Sequence, residues 1–298
     1  MSRAVLRRVG FVFALVLCSP LTAPTEASAA LTSPTSVLDW NAAGQSIGNG
    51  VDLWLWQKIP VELNNRNPQP TILTFQGVCE DQVYELWNRD LRFRGFTQAA
   101  FYTARTGVDS ICGGEDFGNA VFMVGGGTAV MIRFNALNQP SGIAEKRGIA
   151  CMASAQQSIL SVCSLHLINS TSSVNNLPWA DCQAAEAWTS YFDIWRNSGE
   201  LIIAAGDFNI AIGTAEDGPP VSGYNYCHRY RPGYTALEHA YYWCYESDQY
   251  SGSTTSPTQG SRKLDAIFIY KSLGYFWADL YRTYSDSDHM MLTGYVDW

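Results

Sequence analysis

The sequence has no C-x-x-C pair, no internal repeat, no linker long enough to divide it, and only four histidines among 298 residues. Without C-x-x-C, its cysteines match no zinc-binding spacing. Without a repeat or divider, the chain reads as one domain after its N-terminal segment. Basic residues are scarce as well: 19 Lys and Arg stand against 27 Asp and Glu, for a formal net charge of −8. Such a protein gains no long-range attraction for a polyanion, so a phosphate must be met by local basic groups or a cation. Beyond the first thirty residues no apolar run is long enough to cross a membrane.

What is present begins with an export signature. MSRAVLRR supplies a basic region, VGFVFALVLCSPL an apolar one, and Ala27-Ser28-Ala29 a small-residue cleavage site. Residues 1–29 therefore read as a secretory signal peptide, and 30–298 as a single secreted domain, expected to be a monomer. Cleavage removes three arginines and one glutamate, taking the formal charge from −8 to −10. The full sequence is 47% hydrophobic and 13% aromatic, which excludes disorder and allows a large core. Seven cysteines remain after cleavage, and an exported chain keeps disulfides. Cys79–Cys112 and Cys227–Cys244 are the favoured bridges. Cys151 and Cys163 flank Gln157 in a hairpin and could face one another, with Cys182 left over or taking Cys163 instead.

Strand-like runs dominate the chain: SVLDWN ending at Asn41, TILTFQ at 71–76, then FTQAAFYTA, GNAVFMVGG, TAVMIRFNA, RGIACMASA and ILSVCSLHLI. ELIIAAGDFN, KLDAIFIY and HMMLTGYVDW follow. Helical spacing marks 79–92 and, most clearly, 179–197. Residues 51–66 are ambiguous, because Pro60 interrupts any long helix there. The chain is thus a mixed α/β domain with many strands.

Polar residues cluster where apolar runs end: Asn41, His166, Asp207 with Asn209, and Asp288 with His289. Asp265 opens another strand. Singly, an Asn or Asp at a strand end is most often a turn former, and a lone His a satisfied core or surface residue. Together they point to a site at one edge of a sheet. Their order, Asn41, Gln76-Gly77, His166-Leu167, Gly206-Asp207-Phe208-Asn209, Lys263-Leu264-Asp265 and Ser287-Asp288-His289, resembles the endonuclease/exonuclease/phosphatase superfamily of deoxyribonuclease-like, metal-dependent phosphodiesterases. The resemblance spans about residues 35–298. It implies a four-layer α-β-β-α sandwich of two mixed β-sheets with helices outside.

It also implies roles. Phosphodiester hydrolysis needs an activated water, neutralised phosphoryl oxygens and a protonated leaving oxygen. His289, oriented by Asp265, would be the general base or acid, and His166 would contact phosphate or act as the complementary acid. Asp207 would orient the water and Asn209 would donate to the developing charge. Asn41 and Asp288 would lie beside Mg²⁺ or Mn²⁺. Gly77 stands where the superfamily keeps its metal-binding Glu. Three explanations compete: a dead enzyme kept for binding, a weakened site held by Asp288 or by Glu80 or Asp81, or a single change in an otherwise active sequence. A weakened site in an enzyme lineage is preferred, because the other positions are intact.

Within the superfamily it resembles, the substrate could be DNA, RNA, a phospholipid or an inositol phosphate. Arg89, Arg92 and Arg94 read as solvated helix charges, whereas Arg229 and Arg231 in YNYCHRYRPGY could bind a nucleic acid beside stacking aromatics. HAYYWCY at 239–245 would suit a transient membrane-surface contact, as in sphingomyelinase-like relatives. An extracellular endonuclease ranks first, a phospholipid phosphodiesterase second, and a catalytically dead binding protein third.

Overall fold

Why the strands stack as they do is visible in their burial. Strands that are buried along their whole length belong inside a sheet covered on both faces, and Thr35–Asn41, Ile72–Cys79 and Phe117–Met123 are buried at every position. The computed structural model describes residues 35–42, 55–108, 112–140, 142–157, 159–169, 179–209, 244–246, 264–270, 274–283 and 287–297. These contain β1 (Thr35–Asn41), α1 (Leu55–Asn65), β2 (Ile72–Cys79), α2 (Glu80–Arg89), β3 (Ala100–Arg105), β4 (Phe117–Met123), β5 (Gly127–Arg133), β6 (Gly148–Ser154) and β7 (Leu160–His166). After these, α3 (Trp179–Glu186) runs through a π-helical turn (Ala187–Phe192) into α4 (Asp193–Asn197), followed by β8 (Leu201–Asp207), β9 (Cys244–Glu246), β10 (Asp265–Tyr270), β11 (Gly274–Thr283) and β12 (Met290–Asp297).

Two mixed sheets of six strands result, ordered β11-β12-β1-β2-β4-β3 and β5-β6-β7-β8-β10-β9. Each holds one parallel pair, β1–β2 and β7–β8, among antiparallel ones. The sheets face one another across a core that includes Val37, Phe75, Met152, Val162, Ile203, Ala205 and Ile267. Helices α1 and α2 cover the outside of the first sheet. On the outside of the second, Trp188 and Phe192 of the π-turn pack with Phe208 and Phe268. This is the sandwich that the sequence implies.

Alternation assigns faces on the second sheet. Ile149, Cys151, Cys163, Leu165, Ala204 and Phe268 lie on the helix side, so residues 148, 150, 164, 166, 205, 207 and 265 face the first sheet. Cys151 and Cys163 stand opposite each other in the β6–β7 register and are bonded, and Cys79 is bonded to Cys112. Cys182 is disulfide-bonded too, and not to Cys163. Residue 227 lies outside the described residues, so the expected Cys227–Cys244 bridge does too. Residues 1–29 also lie outside them. No helix among the described residues is long and apolar enough to cross a membrane.

One ambiguous stretch is resolved and one local reading holds. Helix α1 continues through Pro60, because Leu55, Ile59 and Leu63 form one fully buried stripe whose burial outweighs the lost backbone hydrogen bond. Two of the arginines of α2 and the following 3₁₀ turn are paired, Arg89 with Glu85 at 2.6 Å and Arg94 with Asp90 at 2.5 Å, as solvated helix charges are.

Candidate active site

The site is a pair of facing rows, one from each sheet, fixed by strand register. In the second sheet His166 pairs with Asp207 across β7–β8, and Asp207 with Asp265 across β8–β10. In the first, Asn41 pairs with Gln76 across β1–β2, Gln76 with Asn119 across β2–β4, and Asn119 with Tyr102 across β4–β3. One row carries ionisable groups and the other mostly amides. Asn41 joins them, its Nδ2 donating to Asp207 Oδ2 at 2.8 Å.

Close approach of β7 and β8 makes the second row possible. Gly206 adopts φ +146°, and a Cβ there would lie 1.9 Å from the Leu165 carbonyl oxygen. Only glycine lets the two strands sit so near, which sets His166 Nε2 3.4 Å from Asp207 Oδ2. Past the strand end, Asn209 turns back with φ +51°. Its backbone N–H donates to Asp207 Oδ1 at 2.8 Å, and its amide donates to Asp207 Oδ2 at 3.1 Å and to the Leu167 carbonyl at 2.9 Å. This turn holds Asp207, and its amide hydrogens point at protein acceptors.

His289 enters from the segment before β12. Ser287 Oγ donates to the Asn41 carbonyl at 2.7 Å and accepts from the His289 backbone N–H at 3.0 Å, so the segment is stitched to β1. His289 Nδ1 then lies 2.7 Å from Asp265 Oδ2 and its Nε2 3.9 Å from Asp207 Oδ2. Asp288 is exposed, with Oδ1 3.8 Å from His289 Nε2. Asn41, His166, Asp207, Asn209, Asp265 and His289 thus converge, while Arg229 and Arg231 lie outside the described residues.

The electrostatics separate these groups. Burial would depress His289, but Asp265, Asp207 and Asp288 outweigh it and hold the imidazole up at about 9, protonated at neutral pH. Burial and the Arg147 guanidinium push His166 down, which keeps it neutral despite Asp207. Burial alone would raise Asp207, yet hydrogen bonding by His166, the nearby imidazoles and the Asn209 N–H bring it below its ordinary value. Ligand atoms of Asp207, Asp265 and His289 all lie within 4.8 Å of one another, and all three residues are buried. A buried set with two carboxylates fits a divalent cation, because excess negative charge out of water needs a counter-charge.

Position 77 contributes nothing to this set. The β2–β4 register slips between Gln76 and Val78, so Gly77 is the extra residue of a β-bulge, with φ +66°. Glycine in that left-handed region is the signature of one bulge type. The missing side chain is therefore accompanied by a backbone suited to glycine. Glu80 and Asp81 head α2 and do not join the Asp207 cluster.

Several polar residues of the site carry no motif. Asp39, fully buried one layer beneath Asn41, accepts from Thr74 Oγ1 at 2.6 Å and Gln76 Nε2 at 2.8 Å through Oδ1, while Oδ2 has no hydrogen-bond partner. Burial and the Asp265 charge push its carboxyl up to about 8. Gln76 also donates to Ser164 Oγ at 2.9 Å, and Asn119 Nδ2 to the Gly148 carbonyl at 3.2 Å, tying the sheets together. Alternation along β1 could have placed Asp39 on the Asn41 face; nothing in the sequence marks Asn119 or Arg147.

Solved structures share this fold. The catalytic domain of human Nocturnin, with bound sulfate, is 17% identical with a TM-score of 0.61, covering 89% of this chain and 93% of that one. D. rerio TDP2 complexed with a single-strand DNA product is 13% identical at a TM-score of 0.54, covering 90% and 100%. A Bacteroides thetaiotaomicron mannosyl-6-phosphatase is 14% identical at 0.55, covering 89% and 100%. No curated protein sequence is significantly similar. The family model described as the Endonuclease/Exonuclease/phosphatase family matches residues 40–289, from the end of β1 to the site histidine before β12. The chain belongs to that family.

Proposed function

We propose that the protein is a secreted, divalent-metal-dependent phosphodiesterase whose substrate is a nucleic acid. One observation carries the reading: a buried His289–Asp265 pair and a His166–Asp207 pair, its histidine partly exposed, face the same point with opposite protonation states. Groups whose environments push their pKa values apart are suited to acid and base roles in one turnover. His289, protonated, donates to the leaving oxygen. Neutral His166 and ionised Asp207 receive the proton of the attacking water. Asn209 positions Asp207, Asp265 holds the His289 ring, and Asn41 orients Asp207 from the opposite sheet. Mg²⁺ or Mn²⁺ held by the Asp207 and Asp265 carboxylates beside Asn41, with His289 left to carry its proton, would supply charge neutralisation at the phosphoryl oxygens. Position 77 adds no ligand, so weak metal affinity is expected. The disulfides support export, and the DNA product bound to TDP2 supports a nucleic-acid substrate.

Nicking of supercoiled plasmid by the mature protein, beside Gly77→Glu, with Mg²⁺, Mn²⁺ or EDTA, tests this. Metal-dependent nicking by the unaltered protein is expected, with an elevated metal requirement. Nicking by neither protein, with sphingomyelin cleaved instead, would replace the nuclease reading with a phospholipid one.

A further inference from the structure

The polar row does not stop at His166. The last paired position of β6 and β7 near the site is Ile149–Leu165, so Gly148 lies beside His166, and Gly148 in turn pairs with Arg133 on β5. On β5, Ile132 faces the helices, so alternation turns Arg133 to the face that carries His166, Asp207 and Asp265. Arg133 is exposed and has no acidic partner among the described residues. Arg147, just before Gly148, is nearly buried, with Nη1 3.0 Å from Glu145 Oε1, and its charge is felt at His166.

This corner is built rather than loose. Tyr102 Oη donates to the Lys146 carbonyl at 3.0 Å and the Arg147 carbonyl at 3.1 Å, Asn119 holds the Gly148 carbonyl, and Gln139 Oε1 accepts the Arg147 N–H at 2.8 Å. A Cβ on Gly148 would lie 2.2 Å from the Tyr102 ring, so residues 146–148 are clamped onto the first sheet. In an acidic chain, one guanidinium group thus acts on the neutral histidine and a second lies one strand further along the same face.

We propose that Arg133 and Arg147 form a second phosphate subsite beside His166, so that the substrate carries at least one phosphate flanking the one that is cleaved. From β7 to β5 is two strand spacings, about 10 Å, within reach of a neighbouring phosphate in a polynucleotide. Arg147, held by Glu145, supplies a fixed charge near the reacting phosphate, and Arg133 supplies the outer contact. The proposal rests on the phosphodiesterase reading and narrows it: a phospholipid with a single phosphate leaves this subsite empty. An arginine on an edge strand also discourages strand pairing between copies, and the experiment separates the two roles.

The test is equilibrium binding in EDTA, where no turnover occurs, of the thymidine dinucleotides TpT and pTpTp to the mature protein and to Arg133→Met and Arg133→Lys. We expect the unaltered protein to prefer pTpTp about tenfold, Arg133→Met to lose that preference and Arg133→Lys to keep most of it. The salt dependence of pTpTp binding should also flatten in Arg133→Met by about 0.7 in log–log slope, the value for one phosphate contact on a single strand. No preference in the unaltered protein, or an undiminished one in Arg133→Met, overturns the subsite. If the preference behaves as expected but plasmid is never nicked, the hydrolytic reading fails and the subsite stands.

Discussion

Asp39, two residues before the end of β1, and Asp207, the last residue of β8 in the facing sheet, are the same residue type and equally sealed from water, and their carboxyls are driven in opposite directions. Asp207 receives the Asn209 backbone N–H, the Asn209 and Asn41 amides and the neighbourhood of two imidazoles, and is held low. Asp39 receives one hydroxyl and one amide on a single oxygen, has no imidazole against it, lies near Asp265, and is pushed up to about 8. Burial does not by itself decide the charge of a carboxyl; the count of donors and nearby cations does. Asp207 is thereby ionised and suited to receive a proton, while Asp39 is a neutral acid at pH 7.

Removing the charge of Asp207 should produce the largest effect. Asp207→Asn keeps the shape of the site but presents an amide hydrogen to Asn41 and Asn209, which already donate. We expect plasmid nicking to fall by about 10²–10⁴-fold, the span of general acid–base contributions, with an unchanged near-ultraviolet spectrum. Retention of a tenth or more of the activity would remove Asp207 from the reaction.

Asp39→Asn tests the other half and should show in stability rather than in rate. Unfolded, Asp39 titrates near 3.8; folded, near 8. Between those values the native state holds a proton that the unfolded chain has released, so raising the pH favours unfolding. Its stabilising contribution is complete below about pH 4 and is lost on the way to pH 8, at up to about 1.4 kcal/mol per pH unit. In EDTA, Asp39→Asn should flatten the decline of Tm between pH 4 and 8. The part due to His289, raised from 6.5 to about 9, should persist, since that contribution is lost between those two values. An unaltered Tm–pH curve in the variant would contradict the assignment of Asp39.

How far the sequence reveals this site depends on the link involved. Asn41, His166, Asp207, Asp265 and His289 were legible because each ends or begins an apolar strand, and strand ends gather at one sheet edge. The sandwich was implied by the family resemblance that the order of those motifs carries. Asp39 was not legible, because an acidic residue inside VLDWN looks like any strand polar residue until the facing strand is known to bring Asp265 near it. Arg133 and Arg147 were hidden for the same reason: their relation to His166 exists only through the β5–β6–β7 register. Strand β11 was missed because GYFWADLYRT lacks clean alternation, and its register to β12 slips at two places. Helix α1 was left ambiguous because Pro60 carries a local cost that tertiary burial outweighs.

The smallest expected effect concerns Gly77, and it decides what the missing carboxylate means. At φ +66° an ordinary residue pays roughly 1–2 kcal/mol for the contact between its Cβ and the following carbonyl, and Asn, which hydrogen-bonds locally, pays less. Gly77→Ala should therefore lower Tm by a few degrees and Gly77→Asn by less, measured by thermal melts in EDTA. That ranking would mean the bulge between Gln76 and Val78 has settled around glycine, so that Gly77→Glu must strain or reshape β2 before its carboxylate reaches the Asp207 cluster. Equal stability in all three proteins would mean that the strand accepts any residue there, and that the site lacks a ligand and nothing more.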